Sequence, residues 1–109
     1  MNYLDVVYRV PGQVPIIKRI SDNDYWDLIG GCFDLGCPFP TYDPNLLVLV
    51  GDESLLDGSE FNFSTPVQEY CGPAVFVRRD GEDFVSLTLR DIYFLSSFFG
   101  AMKDDRRKV

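Results

Sequence analysis

Apolar and polar positions fall into short blocks whose period switches between two residues and three to four. Tyr3 to Val10 reads Tyr-Leu-Asp-Val-Val-Tyr-Arg-Val, β-branched and aromatic, and predicts a strand. Pro11-Gly12-Gln13 is a turn and Val14 to Ile20 a second strand, so the two are expected to pair as an antiparallel hairpin. Ser21 to Asp24 has the make-up of a helix start. Ser21 is the expected cap, Asp24 occupies the reciprocal capping-box position, and Asp22 adds negative charge at the positive end of the helix dipole. Tyr25, Leu28 and Ile29 share one helical face beside Trp26, and Gly30-Gly31 ends the helix. So short a helix needs a sheet to pack on.

Cys32 to Leu35 is expected as a brief edge strand, followed by an irregular stretch holding Gly36, Pro38 and Pro40. Asp43-Pro44-Asn45 is a turn. Leu46 to Val50 is apolar without a break, which predicts a central strand covered on both faces. Gly51 to Phe63 is polar and acidic, with one helical turn expected at Ser54 to Asp57, and Ser64 to Cys71 reads as a loop. Pro73 to Arg79 and Phe84 to Leu87 form a second hairpin around Asp80 to Asp83. Thr88-Leu89-Arg90-Asp91 repeats the capping-box pattern and opens a last helix, with Ile92, Leu95, Phe98, Phe99 and Met102 at helical spacing and Gly100 weakening its end. This order argues an α+β fold: a mostly antiparallel sheet of about five to six strands with two main helices packed on one face.

Composition adds limits. The chain has 109 residues, enough for one core and not two, so residues 1–102 are expected as a single domain and 103–109 as a charged C-terminal tail. Hydrophobic residues are 46%, which excludes disorder throughout. The longest apolar run, Leu46 to Val50, is far short of a membrane span, and no basic start precedes a long apolar stretch, so a cytoplasmic protein is expected. Residues 1–102 carry 15 acidic and 6 basic side chains, whereas the tail carries 4 basic and 2 acidic ones. So acidic a body does not bind nucleic acid by counterion release, but it is drawn to basic surfaces. The tail is expected to be solvated and frayed.

Candidate chemistry is sparse. There is no histidine, which removes the commonest general base and zinc ligand and excludes a Ser-His triad at Ser59, Ser64 or Thr65. Cys32, Cys37 and Cys71 are an odd set without zinc-knuckle spacing, and they read as reduced, partly buried thiols rather than a metal site. No phosphate loop or other cofactor motif is present, so no cofactor is expected. Asp52, Glu53, Asp57 and Glu60 crowd one connection; they lack calcium-loop spacing, and a solvated acidic loop is the preferred reading. Phe61, Phe63 and Tyr70 are core plugs or the wall of a pocket, with plugs preferred. Asp52 and Asn62 are expected to approach one another, the asparagine bonding backbone groups to lock the loop.

The order of several short pieces carries a resemblance. Asp-Leu-Ile-Gly-Gly at 27–31 ends the first helix. Leu-Leu-Val-Leu-Val then leads into Gly-Asp-Glu at 51–53, and Phe-Asn follows at 61–62. Cys-Gly-Pro-Ala-Val-Phe-Val at 71–77 and Phe-Val-Ser-Leu-Thr at 84–88 close the series. Over roughly residues 14–95 this order resembles a family of small uncharacterised proteins of bacteriophages and mobile elements. Asp52 and Asn62 match positions of that family, while Gly51 stands where it usually has asparagine. The family has no assigned activity, and its setting implies host takeover or evasion of defence.

The leading expectation is therefore a non-enzymatic protein that inhibits a host defence protein, such as a CRISPR effector, in the bacterial cytoplasm. Asp52, Glu53, Asp57 and Glu60 with Asp80, Glu82 and Asp83 would form one acidic surface against a basic groove of that partner. The alternative is a small-ligand or nucleotide-sequestering protein using Asp52, Asn62, Phe61, Phe63 and Tyr70. An enzyme is the weakest of the three, for want of a nucleophile–base pair.

Overall fold

The computed structural model describes residues 3–21, 23–52 and 58–106. The expected Ser54–Asp57 turn and the side chains of Asp22, Glu53 and Asp57 lie outside them. The first hairpin forms as expected: β1 (Tyr3–Arg9) pairs antiparallel with β2 (Ile16–Ser21), Tyr3 opposite Ser21 and Tyr8 opposite Ile16. Helix α1 is confined to Tyr25–Ile29, with Asp24 at its N-cap. It starts later than the capping-box pattern suggests. The Asp24 carboxylate does accept the Ser21 N–H at 2.8 Å, but that bond closes the turn before the helix. Gly30, left-handed at φ 90°, ends α1.

Next come β3 (Phe33–Gly36) and β4 (Leu46–Gly51), then a short hairpin of β5 (Phe61–Ser64) and β6 (Glu69–Cys71). Strands β7 (Ala74–Asp80) and β8 (Asp83–Val85) precede helix α2 (Leu89–Phe99), and β9 (Lys103–Asp104) follows it. The main sheet runs β3-β4-β7-β1-β2-β9, with β8 also on β7, which makes seven strands among the described residues. Its pairings are antiparallel except β2 with β9, which is parallel. The α+β class and the mostly antiparallel sheet stand as expected, with more strands than expected.

The helices lie on opposite faces of this sheet, not on one. Successive strand residues point to opposite faces, and here both directions are apolar. Val7, Leu46, Val48, Ala74 and Phe76 join Ile92 and Leu95 of α2 in one buried cluster. Val6, Leu47, Leu49, Val75 and Val77 join Tyr25 and Ile29 of α1 in the other. A sheet apolar on both sides needs a cover on each, and each buried Leu, Val or Phe contributes about 1.5–3 kcal/mol.

Two connections differ from the sequence reading. The stretch 61–71, expected as acidic connection and loop, is the β5–β6 hairpin, and it covers the α2 face through Phe63 and Tyr70. A register shift between Phe61 and Phe63 turns Asn62 and Phe63 both inward, which erases the alternation that marks a strand. Residues 103–106 are tied to the sheet rather than frayed. The Lys103 and Asp105 N–H groups donate to the carbonyls of Pro15 and Ile17, each at 2.9 Å.

Candidate functional site

A groove opens where edge strand β3 and the end of β4 meet the β5–β6 hairpin. Its cavity measures about 240 Å³ and is lined by Asp34 to Gly36, Val50 to Asp52, and Gln68 to Cys71. Tyr70 forms the inner wall. Its ring stacks on Phe63, centroids 4.7 Å apart, and Phe63 packs on Phe76 of the central strand. Burial raises the Tyr70 phenol above its ordinary pKa, and neighbouring Cys37 pushes the same way, so the hydroxyl stays protonated at neutral pH. Asp34, Asp52 and Glu69 supply three carboxylates to the rim, all exposed. No group of three or more His, Cys, Asp or Glu among the described residues is placed to hold a metal ion.

Asn62 fixes the hairpin that carries this wall. Its Oδ1 accepts from Arg9 Nη1 at 2.8 Å, and its Nδ2 donates to the carbonyls of Gly72 at 2.8 Å and Arg9 at 3.0 Å. Arg9 Nη1 also donates to the Asn62 carbonyl, and the guanidinium lies 4.8 Å from the Phe99 ring centroid. Asn62 does lock backbone groups, as expected, but its partners are Arg9 and Gly72 rather than Asp52. Both of its amide N–H groups are used, and its side chain is buried.

The other sequence candidates separate. Strands β4 and β7 are neighbours and run antiparallel, with Val50 opposite Ala74 and Leu46 opposite Arg78. Asp52 therefore leaves the sheet at one end and Asp80, Glu82 and Asp83 sit at the other, roughly 25 Å apart at ~3.3 Å per residue. Of the expected acidic surface, the described members Asp52 and Asp80, Glu82 and Asp83 therefore stand at opposite ends of the strand pair, and Glu53 and Asp57 lie outside the described residues. Glu60 is exposed, and its carbonyl accepts from Gly72 N–H at 2.8 Å. Of the five ligand candidates, Asp52 and Tyr70 line the groove. Phe63 is a core plug, Asn62 is spent on structure, and Phe61, 53% exposed, is not among the lining residues. Asp34 and Glu69 escaped the sequence reading. The only trace of Asp34's role is a charge between Phe33 and Leu35 in an otherwise apolar strand.

A second polar cluster stands at the start of α2. Thr88 and Asp91 make both bonds of the expected capping box. The Asp91 carboxylate also receives Arg78 in a two-pronged bond of 2.8 and 2.7 Å and the Tyr42 hydroxyl at 2.8 Å. Arg78 further reaches Asp43 at 2.8 Å. Burial alone would raise Asp91, but Arg78, the Thr88 N–H and Tyr42 overcome it and hold its pKa at about 2. Every charge here has a partner, so the cluster joins α2 to the sheet and offers a ligand nothing.

With three acidic residues in its lining, the groove can accept cationic groups. No helix among the described residues is long and apolar enough to cross a membrane. No curated protein and no solved structure matches the chain. Residues 1–99, which hold both helices, the groove and all of the sheet but β9, match one family model, and the chain belongs to that family, Domain of unknown function (DUF3846).

Proposed function

We propose that this chain is a non-enzymatic binding protein that engages a basic surface of a partner protein through the carboxylate-lined end of its sheet. The observation that carries this reading is the convergence of Asp34, Asp52 and Glu69 on one groove, in a chain of net charge −7. Acidic side chains placed together steer a basic partner and set its orientation. The resemblance to phage and mobile-element proteins supplies the partner class: a bacterial defence component, such as a CRISPR effector, whose nucleic-acid channel is basic, met in the host cytoplasm. The test pairs two triple variants against purified effectors, Asp34→Lys/Asp52→Lys/Glu69→Lys and Asp80→Lys/Glu82→Lys/Asp83→Lys. The first lowers affinity and flattens its salt dependence, while the second leaves both near wild type. Equal behaviour of the two variants refutes the groove as the binding surface.

A second reading has the cavity itself as the site of a small ligand. The lining argues against a nucleotide, because three carboxylates repel phosphate. A compact amine against the Tyr70 ring suits it better. Calorimetry with small diamines separates this from the first reading, since a protein-surface binder gives no heat with them.

A further inference from the structure

We propose that the partner supplies an extended segment of alternating basic and apolar residues, which adds to the sheet as a new strand beside β3. This rests on the basic-partner reading above and says how the contact is made. Strand β3 ends the sheet, with β4 its one neighbour among the described residues. The Asp52 N–H donates to the Cys32 carbonyl at 3.2 Å, so residues 32 and 52 face one another as a hydrogen-bonded pair. Such pairs alternate along an antiparallel ladder, and the register places Asp34 opposite Val50 and Gly36 opposite Val48. The backbone groups of Asp34 and Gly36 are therefore turned to β4. Those of Phe33 and Leu35 point the other way, and no hydrogen bond among the described residues closes them.

The two faces of β3 define what fits there. Asp34 lies on the α2 face, at the level of Val50, and Asp52 and Glu69 line the same groove. Leu35 lies on the α1 face, opposite Leu49, and is 52% exposed. An incoming strand meets carboxylates with every second side chain and Leu35 with those between. A second copy of β3 would set Asp34 near Asp34, and that repulsion selects a basic strand over self-pairing.

The probe is a labelled eight-residue peptide alternating Lys and Val, followed by fluorescence anisotropy. Its controls are a block isomer with all Lys first and two versions N-methylated at alternate residues, one in each frame. Leu35→Pro deletes an outward N–H and leaves the ladder to β4 intact. The alternating peptide binds, and the block isomer, one N-methylated frame and Leu35→Pro each weaken binding at least about ten-fold. Equal binding of both frames, or no binding of the parent peptide, overturns strand addition. The two frames are compared on the wild-type chain, so the result holds even if Leu35→Pro fails to fold. If the frames bind equally while Asp34→Lys/Glu69→Lys still weakens binding, strand addition is wrong and the basic-partner reading survives. If that charge reversal changes nothing, both fail. A wild-type dimer that Leu35→Pro converts to monomer assigns the edge to a second copy and also overturns the proposal.

Discussion

The ring of Tyr70 rests on the backbone of Gly36: a methyl group placed on Gly36 would stand 2.9 Å from both Cε1 and Oη of Tyr70. That contact joins the β5–β6 hairpin to the sheet edge and sets the depth of the groove. Gly36→Ala forces the buried ring to move, because all three of the nearest atoms belong to the Tyr70 side chain. Overpacking of this kind costs about 1–3 kcal/mol. A lower urea midpoint is expected, together with faster amide exchange in Glu69–Cys71 and little change in β1 and β2. Unchanged exchange in the hairpin would show that the ring finds room without moving it.

Asp91 should account for much of the acid sensitivity. Its pKa of about 2 lies below the unfolded value near 3.8. A depressed carboxylate stabilises the fold above its unfolded pKa, and the contribution is lost as pH falls through the folded one. The shift corresponds to about 2 kcal/mol, lost between roughly pH 4 and 2. Asp5 and Asp104 are also held below the ordinary carboxylate pKa, by Arg19 and Arg106, so the comparison must be with a variant. Asp91→Asn removes the buried carboxylate and leaves Arg78 with Asp43 as its counter-charge, destabilising by about 1–3 kcal/mol at pH 7. Urea unfolding from pH 7 to 2 should show wild type and variant converging as the pH drops. A constant gap would mean that Asp91 does not titrate in this range.

Asn62 is expected to matter for stability and not for direct contact with a ligand. Asn62→Ala strands the Gly72 and Arg9 carbonyls, at about 1–3 kcal/mol for a buried group left unpaired. Asn62→Asp keeps an acceptor for Arg9 but cannot donate to either carbonyl, so it should destabilise as well. Both variants should loosen Phe61–Cys71 in hydrogen exchange. Full rescue by aspartate would mean that the Arg9 contact alone holds the hairpin.

What the sequence made legible follows from signal length. The run Leu46–Val50 and the Thr88–Asp91 box are each complete within a few residues, and both appear as read, down to the two covered faces of β4. The β5–β6 hairpin was hidden because its strands have four and three residues and a bulge breaks their alternation. The opposite placement of the helices was implicit in Val6-Val7 and Leu46–Leu49, where neighbouring positions are both apolar. Of the groove, the sequence singles out Asp52, Tyr70 and the thiol Cys71. Asp34 and Glu69 lie far apart in sequence, and nothing local announces that β3 and β6 converge. Asp52 and Asp80 lie at opposite ends of β4 and β7 because the two strands run antiparallel, a direction that adjacency alone does not fix.

The C-terminal segment is held both by backbone pairing and by charge, and the two are separable. Lys103 and Asp105 each donate a backbone bond to the β2 side of the sheet, and Arg106 reaches Asp5 at 3.3 Å and Asp104 at 2.7 Å. Met102, just before, packs against the α2-face cluster. Removing residues 103–109 deletes the pairing of β9 with β2, whose bonds each contribute about 0.5–1.5 kcal/mol, and bares the edge of β2. A loss of about 1–3 kcal/mol is expected, with earlier exchange at Ile16 and Ile17. Arg106→Ala removes only partly exposed ion pairs and should cost no more than about 1 kcal/mol, less still at high salt. Urea titrations of the two variants at low and high salt decide between the terms. If truncation is neutral, residues 103–106 do not hold the sheet edge; if Arg106→Ala reproduces the whole loss, the ion pairs rather than the backbone bonds carry it.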